Sequence, residues 1–457
     1  MEAVYRRRTP QKSALYKIIK DHYRNFKLLY PEKYQQKYGF FRTEIEKEIN
    51  KYLECGIPQF GFARIKCQKQ GCSEEKILPF SCKGRAMCPS CMQKHMLQQE
   101  MFLTEYVLKF IPHRHFVFAI PKLLRKNFYW HRESLSDLSR IAWKTVNEFM
   151  TRTMNKKGVP GSIQSIATSG EFQNLNPHIH SVVTDGIFIN NNFHSMPRYD
   201  EGARIFIQSL WERNVSRYCI SKGYVTKALI DKILCWRHTG FSVYTENKIH
   251  YSKYDKKEQE KMQHILRYIT KPTFSLEKLV YQEGSKTVLY KGSYNKGIKR
   301  NFETYKPEDF IAAIASHIPM YRQKYTNYYG FYSNKSRGLV KKKTKKEELV
   351  NGIPVVEPTD SQKAYRRTWA VLIKKVFEVD PLKCDRCGSE MKIISIITDK
   401  QVIRKILEHT GIWKDQPGCT ASSETTIQEG RAPPLIAEEK SLNEIEYVPF
   451  DDGWIHV

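Results

Sequence analysis

The chain has 457 residues, 40% of them apolar and 27% charged, enough apolar material for several packed cores and too much for a disordered polymer. Its 76 lysines and arginines against 48 acidic residues leave a formal charge of +28, which points to a polyanion held with salt-dependent affinity, nucleic acid above all. No uninterrupted apolar run approaches the ~20 residues of a membrane helix, and the basic start has no apolar signal core behind it, so a membrane protein is excluded and a cytoplasmic one expected.

Leu15, Ile18, Ile19 and Tyr23, then Ile45, Ile49 and Leu53, recur at helical spacing and predict a helical lead-in over 1–54. Residues 55–100 change to Cys, Gly and Lys with short β-like runs, the pattern of a small metal-organised module that closes with a helix from about Gln93. In a reducing compartment, eleven cysteines with five between Cys67 and Cys91 favour metal over disulfides. Cys67-x4-Cys72 and Cys88-Pro-Ser-Cys91 offer four soft thiolates for a tetrahedral zinc, whose binding supplies folding energy that so short a segment lacks. Cys55 and Cys82 are spare thiols: each is a substitute for a member of the first pair or a small buried hydrophobe. Lys83 and Arg85, with Lys66, Lys69 and Lys76, suit phosphate contact, the alternative being an ordinary solvated face.

Across 101–340 the patterns predict strands over 115–121, 162–168, 178–189 and 241–245, and helices over 134–155, 203–221, 258–269 and 307–318, with Ser134 as an N-cap and Pro307 in the first turn of its helix. Without a regular βαβ repeat, this mixture predicts an α+β domain with a largely antiparallel sheet flanked by helices. His178 and His180 stand one residue apart in a β-branched run, so strand alternation projects both imidazoles from one face and turns Ile179 toward the core. Such a pair suits Mg2+ or Mn2+ with positions left open for a phosphate oxygen, and a third ligand is expected from a carboxylate or amide. Glu171, placed after Ser-Gly where a turn can bring it beside the pair, is the candidate; His113 and His115 come next.

Tyr321, Tyr325, Tyr328, Tyr329 and Tyr332 crowd the segment 317–338. A phenol can attack a phosphodiester and store the bond energy as a phosphotyrosine. In a helix Tyr328 and Tyr332 share one face, as do Tyr325 and Tyr329. Packing or base stacking is the alternative role for each ring. Gly292 and Gly297 have the glycine spacing of a phosphate loop, yet Ile298 stands where its lysine must be, which argues against a nucleotide site. A basic linker over 341–362 leads to a small unit over 363–410 with Cys384-Asp-Arg-Cys387, half a zinc site with no second pair downstream. Residues 411–457 hold nine acidic and three basic side chains and are expected to be a poorly ordered tail outside the binding surface.

Taken in order, Gly61-Phe-Ala-Arg64, Phe80-Ser-Cys-Lys83, Cys88-Pro-Ser-Cys91, Leu175-Asn-Pro-His-Ile-His180, Arg267-Tyr-Ile269 before Pro272, and Tyr328-Tyr-Gly-Phe-Tyr-Ser-Asn-Lys-Ser-Arg-Gly338 resemble the insertion sequence 91 family of rolling-circle transposases. That family belongs to the HUH endonuclease class with two catalytic tyrosines. The resemblance implies an HUH nuclease domain behind a small zinc-binding domain, with Cys67, Cys72, Cys88 and Cys91 on zinc and His178 and His180 on Mg2+ or Mn2+. It makes Tyr328 and Tyr332 the nucleophiles: Tyr328 attacks, leaving a 5′-phosphotyrosine and a free 3′-hydroxyl, and Tyr332 takes the second strand. Arg267, Lys335 and Arg337 then neutralise or position phosphates. The implied partners are single-stranded or hairpin DNA ends of a mobile element and a host helicase, in the nucleoid of a prokaryotic cell. Cys67 and Cys72 depart from the family in having four residues between them where two are commoner, which keeps Cys82 open as a substitute. A relaxase or plasmid replication initiator shares the histidines and tyrosines, a non-catalytic zinc-finger regulator shares the cysteines, and a tyrosine recombinase leaves the histidine pair unexplained.

Overall fold

The computed structural model describes residues 9–245, 248–295, 299–339 and 382–413. The expected basic linker over 341–362, the expected C-terminal unit up to 381 and the acidic tail from 414 lie outside the described residues. In chain order, helices α1 (Ala14–Leu29) and α2 (Thr43–Glu54) precede strands β1 (Phe62–Cys67) and β2 (Glu75–Pro79). Helix α3 (Pro89–Phe102) leads to β3 (His113–Ala119), α4 (Ser134–Met154), β4 (Gly161–Ser169) and β5 (Leu175–Thr184). A hairpin of β6 (Gly186–Ile189) and β7 (Asn192–Ser195) is followed by α5 (Glu201–Ser221), β8 (Ser242–Thr245) and α6 (Lys256–Ile269). Strands β9 (Leu279–Gln282), β10 (Thr287–Asn295) and β11 (Arg300–Tyr305) form a meander before α7 (Pro307–Ala315) and β12 (Thr326–Gly330). Strand β13 (Met391–Ile397) and helix α8 (Lys400–His409) come last. No helix among the described residues is long and apolar enough to cross a membrane.

The protein is α+β, and every strand pair is antiparallel. Helices α5 and α6 begin where Asp200 and Asp255 accept the amides of Ala203 and Glu258, satisfying N–H groups that have no partner inside the helix. Ser134 does not cap α4 as expected: it lies inside the helix, buried, with its hydroxyl 2.5 Å from that of Tyr224.

The described residues divide into two compact units, 9–16, 50–84 and 382–413 in one, and 17–49 and 85–339 in the other. In the first, β13, β1 and β2 form a three-stranded sheet in that order, with Phe62 opposite Ile397 and Cys67 opposite Met391. Ile403 and Leu407 of α8 bury against Phe62. The expected self-standing C-terminal unit is therefore an integral strand and helix of the small sheet that also contains β1.

In the second unit, five strands form the sheet β12-β4-β5-β3-β8. Phe116, Phe118, Ile166, Ile179 and Val183 project from one face into a core with Leu138, Val146 and Phe149 of α4 and Leu210 and Trp211 of α5. Residues opposite each other in a ladder share a face, so His113 and His115 of β3, His178 and His180 of β5, and Tyr328 of β12 all project from the other side.

Within the tyrosine-dense segment, Tyr328 and Tyr329 lie on an edge strand, and Tyr332 on the turn after it, so no helix gives Tyr328 and Tyr332 a shared face. Thr326 and the adjacent aromatics suit a pleated surface, and β4 supplies the ladder, with Tyr328 opposite Ile163 and Tyr329 opposite Ser162. Alternation then sends neighbouring phenols to opposite faces, Tyr329 stacking on Trp143 with centroids 5.6 Å apart. Gly330 ends the strand at φ +59, where an added Cβ would stand 2.0 Å from the Pro160 carbonyl oxygen, so only glycine fits the turn that carries Tyr332 inward.

Candidate active site and cysteine cluster

His178 and His180 occupy successive positions on one face of β5, as alternation requires, and Ile179 between them is fully buried in the core. His178 Nδ1 donates to the Asn176 carbonyl at 2.5 Å, which leaves its Nε2 lone pair free to face His180 Nε2 at 3.1 Å. His180 Nδ1 in turn lies 3.1 Å from Nε2 of His115. Two proton arrangements are open to this chain of rings. Either each ring donates to the next from His115 toward His178, or His180 donates to His115 and turns its Nε2 lone pair toward that of His178. In the second, two lone pairs 3.1 Å apart repel unless a cation lies between them. Two nitrogens about 2.1 Å from one ion subtend roughly 95° at that spacing, so the pair fits a metal. Burial, then His178, His115 and Lys271, push the His180 pKa down to about 2, and burial first of all lowers that of His178, so both rings are in the neutral form that ligates metal.

Glu171 does not join them. It sits on a 3-10 turn with its carboxylate accepting the Ser293 amide at 3.1 Å, because Phe172 and Gln173 behind it take left-handed φ values of +54 and +59. Among the described residues no carboxylate lies within 4.8 Å of both imidazoles. His115, a secondary candidate in the sequence, is the third ring of the cluster. Asn176, two residues before His178 and on the same face, buries its Oδ1 with no hydrogen-bond partner.

The structure does not deliver the expected tyrosines to this cluster. Tyr332 is fully buried, its hydroxyl 2.7 Å from His113 Nε2, and burial pushes its pKa far above the usual phenol value. Tyr328 shares the histidine face but lies two strands from β5 and two residues out of register with His180, about 12 Å away at strand spacings. Its hydroxyl donates to Gln99 at 3.3 Å. The phenol beside the imidazoles is Tyr268, in the last turn of α6, with its ring centroid 5.2 Å from that of His180 and 6.3 Å from that of His115. It is 43% exposed, and Lys271 Nζ stands 3.8 Å from its ring centre. Burial, then Lys278, lowers the Lys271 pKa. Tyr268 was visible in the sequence as the centre of Arg267-Tyr-Ile269, the residue just before the buried Ile269 that ends the helix, but a lone tyrosine gave no spacing signal.

The expected phosphate-binding cations divide. Arg267 makes a two-pronged bond to Glu100, at 2.5 and 3.0 Å, and that carboxylate is only 2% exposed, so the charge is committed to the fold. Arg337 lies over the rings of Phe102 and Tyr328 and donates to the Tyr332 carbonyl at 3.2 Å. Lys335 and Lys83 are exposed, Lys83 at φ +51, and burial lowers the pKa of half-buried Arg85.

Cys67, Cys72, Cys88 and Cys91 do not form one quartet. Cys67 and Cys72 sit with Cys384 and Cys387, all four sulfurs within 4.8 Å of one another. The reason is the β1–β13 ladder, which carries the end of β1 to the turn before β13. Cys88 and Cys91 flank Pro89 at the start of α3, both buried. In the first unit the Cys82 amide donates to the Cys55 sulfur at 3.3 Å. Hydrogen bonds from Ser389 lower the Cys387 pKa to about 6.

A family model described as a transposase zinc-binding domain matches residues 26–120, and a transposase family model matches residues 161–338. His178, His180 and Tyr268 fall in the second match; Cys384 and Cys387 lie outside both. The transposase for insertion sequence element IS801 of Pseudomonas savastanoi pv. phaseolicola is 26% identical over 373 residues, covering 79% of this chain and 85% of that protein. No solved structure matches. A zinc-binding match, a transposase match in the order the motifs predicted and a relative spanning most of both chains together place this protein in the insertion sequence 91 family of DNA transposases.

Proposed function

We propose that this transposase works by HUH-type chemistry with Tyr268 as its nucleophile, cutting and rejoining one DNA strand at the ends of its element. The observation that carries the reading is the ring of Tyr268 lying 5.2 Å from that of His180, on an exposed helix end, while Tyr332 is sealed and Tyr328 is remote. The phenol oxygen bonds to the scissile phosphorus as the bond to the 3′ oxygen breaks, giving a 5′-phosphotyrosine and a 3′-hydroxyl; the phenol proton passes to solvent and the 3′ oxygen takes one up. Attack by a 3′-hydroxyl reverses the step and frees the tyrosine, so no ATP is needed. Mg2+ or Mn2+ held by His178 and His180 would polarise the phosphate as a Lewis acid. Lys271, beside the phenol, stabilises negative charge on the attacking oxygen and the phosphate.

The substrate in this reading is a single-stranded or hairpin end, with strand opening left to a host helicase because Ile298 occupies the phosphate-loop lysine position. The charge of +28 would keep such a protein on the nucleoid. With Cys67 and Cys72 taken up elsewhere, Cys88 and Cys91, both buried at the start of α3, remain a pair of soft thiolates suited to zinc.

The test is incubation with manganese and single-stranded element-end DNA, read on a denaturing gel. Wild type, Tyr328→Phe and Tyr332→Phe give a covalent adduct and Tyr268→Phe gives none. An adduct that survives Tyr268→Phe and disappears with Tyr328→Phe overturns the nucleophile, and no adduct with wild type favours a DNA-binding regulator without catalysis.

A further inference from the structure

We propose that Cys384 and Cys387 are zinc ligands and complete, with Cys67 and Cys72, a site that closes the small β-sheet unit from both ends of the chain. The inference builds on the zinc-binding character of the N-terminal domain, whose family match ends at residue 120, far short of the C-terminal pair.

The sulfurs of Cys67 and Cys387 are 3.5 Å apart and those of Cys72 and Cys384 3.8 Å. Four sulfurs about 2.3 Å from a central zinc stand about 3.8 Å from one another, the edge of the tetrahedron. A disulfide needs about 2.05 Å, and all four are free thiols. Each pair sits on a tight turn that a glycine makes possible. Gly71, at φ +81, precedes Cys72, whose amide donates to the Lys69 carbonyl. Gly388, at φ +71, follows Cys387 and donates to the Cys384 carbonyl at 2.8 Å, while the Cys384 amide donates to that of Ser389 at 2.9 Å.

The surroundings hold the two turns face to face. Ile65 and Met391 bury beneath the sulfurs, and the ladder sets Cys67 opposite Met391. Lys76 Nζ donates to the Lys383 carbonyl at 3.1 Å and pairs with Asp385 at 2.7 Å, tying β2 to the second turn. A hydrophobic core has no need of four thiols meeting at one point, whereas a soft cation does. The consequence is architectural: residues 384–397 supply half of the ligands and the third strand, so the unit needs them to close.

The experiment is metal analysis of the purified full-length protein. Cys384→Ser with Cys387→Ser is expected to lower bound zinc by one ion per chain relative to wild type, and Cys219→Ser, in the core of the other unit, to leave it unchanged. Zinc content unchanged in the double variant overturns the site. Should that variant fail to fold, Cys384→His decides: in the cobalt-substituted protein it is expected to weaken thiolate-to-cobalt absorption while metal stoichiometry is kept, and an unchanged spectrum overturns the proposal. Neither readout depends on DNA cleavage, so failure here leaves the assignment of Tyr268 standing.

Discussion

The Tyr332 hydroxyl lies 2.7 Å from His113 Nε2, and it donates that bond, because His113 Nδ1 spends its own proton on the Ile111 carbonyl. The same oxygen accepts the Lys109 amide at 3.3 Å, with no solvent exposure at the ring. This phenol is a structural bolt. Tyr332→Phe strands a buried imidazole nitrogen and should cost about 1–3 kcal/mol of stability in chemical denaturation while covalent adduct formation persists. Loss of adduct with unchanged stability would reverse the two roles.

Lys271 has the opposite profile. Its ammonium stands 3.8 Å from the Tyr268 ring centre, and in the proposed mechanism it would act where charge develops in the reaction. Lys271→Gln should slow single-turnover cleavage by about 10²-fold with little change in DNA affinity. A matching fall in affinity would mark it as a phosphate-binding residue only.

Arg267 is the cation whose charge is already spent. Removing it leaves Glu100, 2% exposed, without its partner, though solvent reaches the arginine side of the pair. Arg267→Ala should destabilise the protein by about 2 kcal/mol and leave the salt dependence of DNA binding unaltered. A slope that falls by about one unit on the logarithmic salt plot would instead identify a phosphate contact.

Acid should loosen the unit that holds the five-stranded sheet through two buried histidines. Burial first of all lowers His113 and His317 from 6.5 to about 4. The unfolded chain therefore takes up these protons first, so the stability is complete above pH 6.5 and lost as the pH falls toward 4, roughly 3 kcal/mol for each ring. His317→Gln removes one titration and should flatten the melting temperature between pH 6.5 and 4; an equally steep profile would place the acid sensitivity elsewhere.

The parts of this molecule that were legible in the sequence are those fixed by short-range periodicity. Alternation around Ile179 put both imidazoles on one face, and the mixed order of strands and helices indicated an antiparallel α+β sheet. The tyrosines failed because fourfold spacing also arises where a strand runs into a turn, and only the ladder with β4 distinguishes them. Glu171 failed because two left-handed residues redirect the chain just after it. The cysteines failed for a different reason: Cys67 and Cys387 meet across 320 residues, and no local pattern encodes that meeting.

The same long-range pairing makes the reading frame itself a condition of folding. Strand β1 gains its second neighbour only when residues 391–397 have left the ribosome, after the histidines and Tyr268 have already been made. A copy of the chain that stops before residue 382 thus keeps His178, His180 and Tyr268 but leaves β1 paired with β2 alone and Cys67 and Cys72 without Cys384 and Cys387. Strand β13 and helix α8 are made late yet decide whether β1 has both of its neighbours.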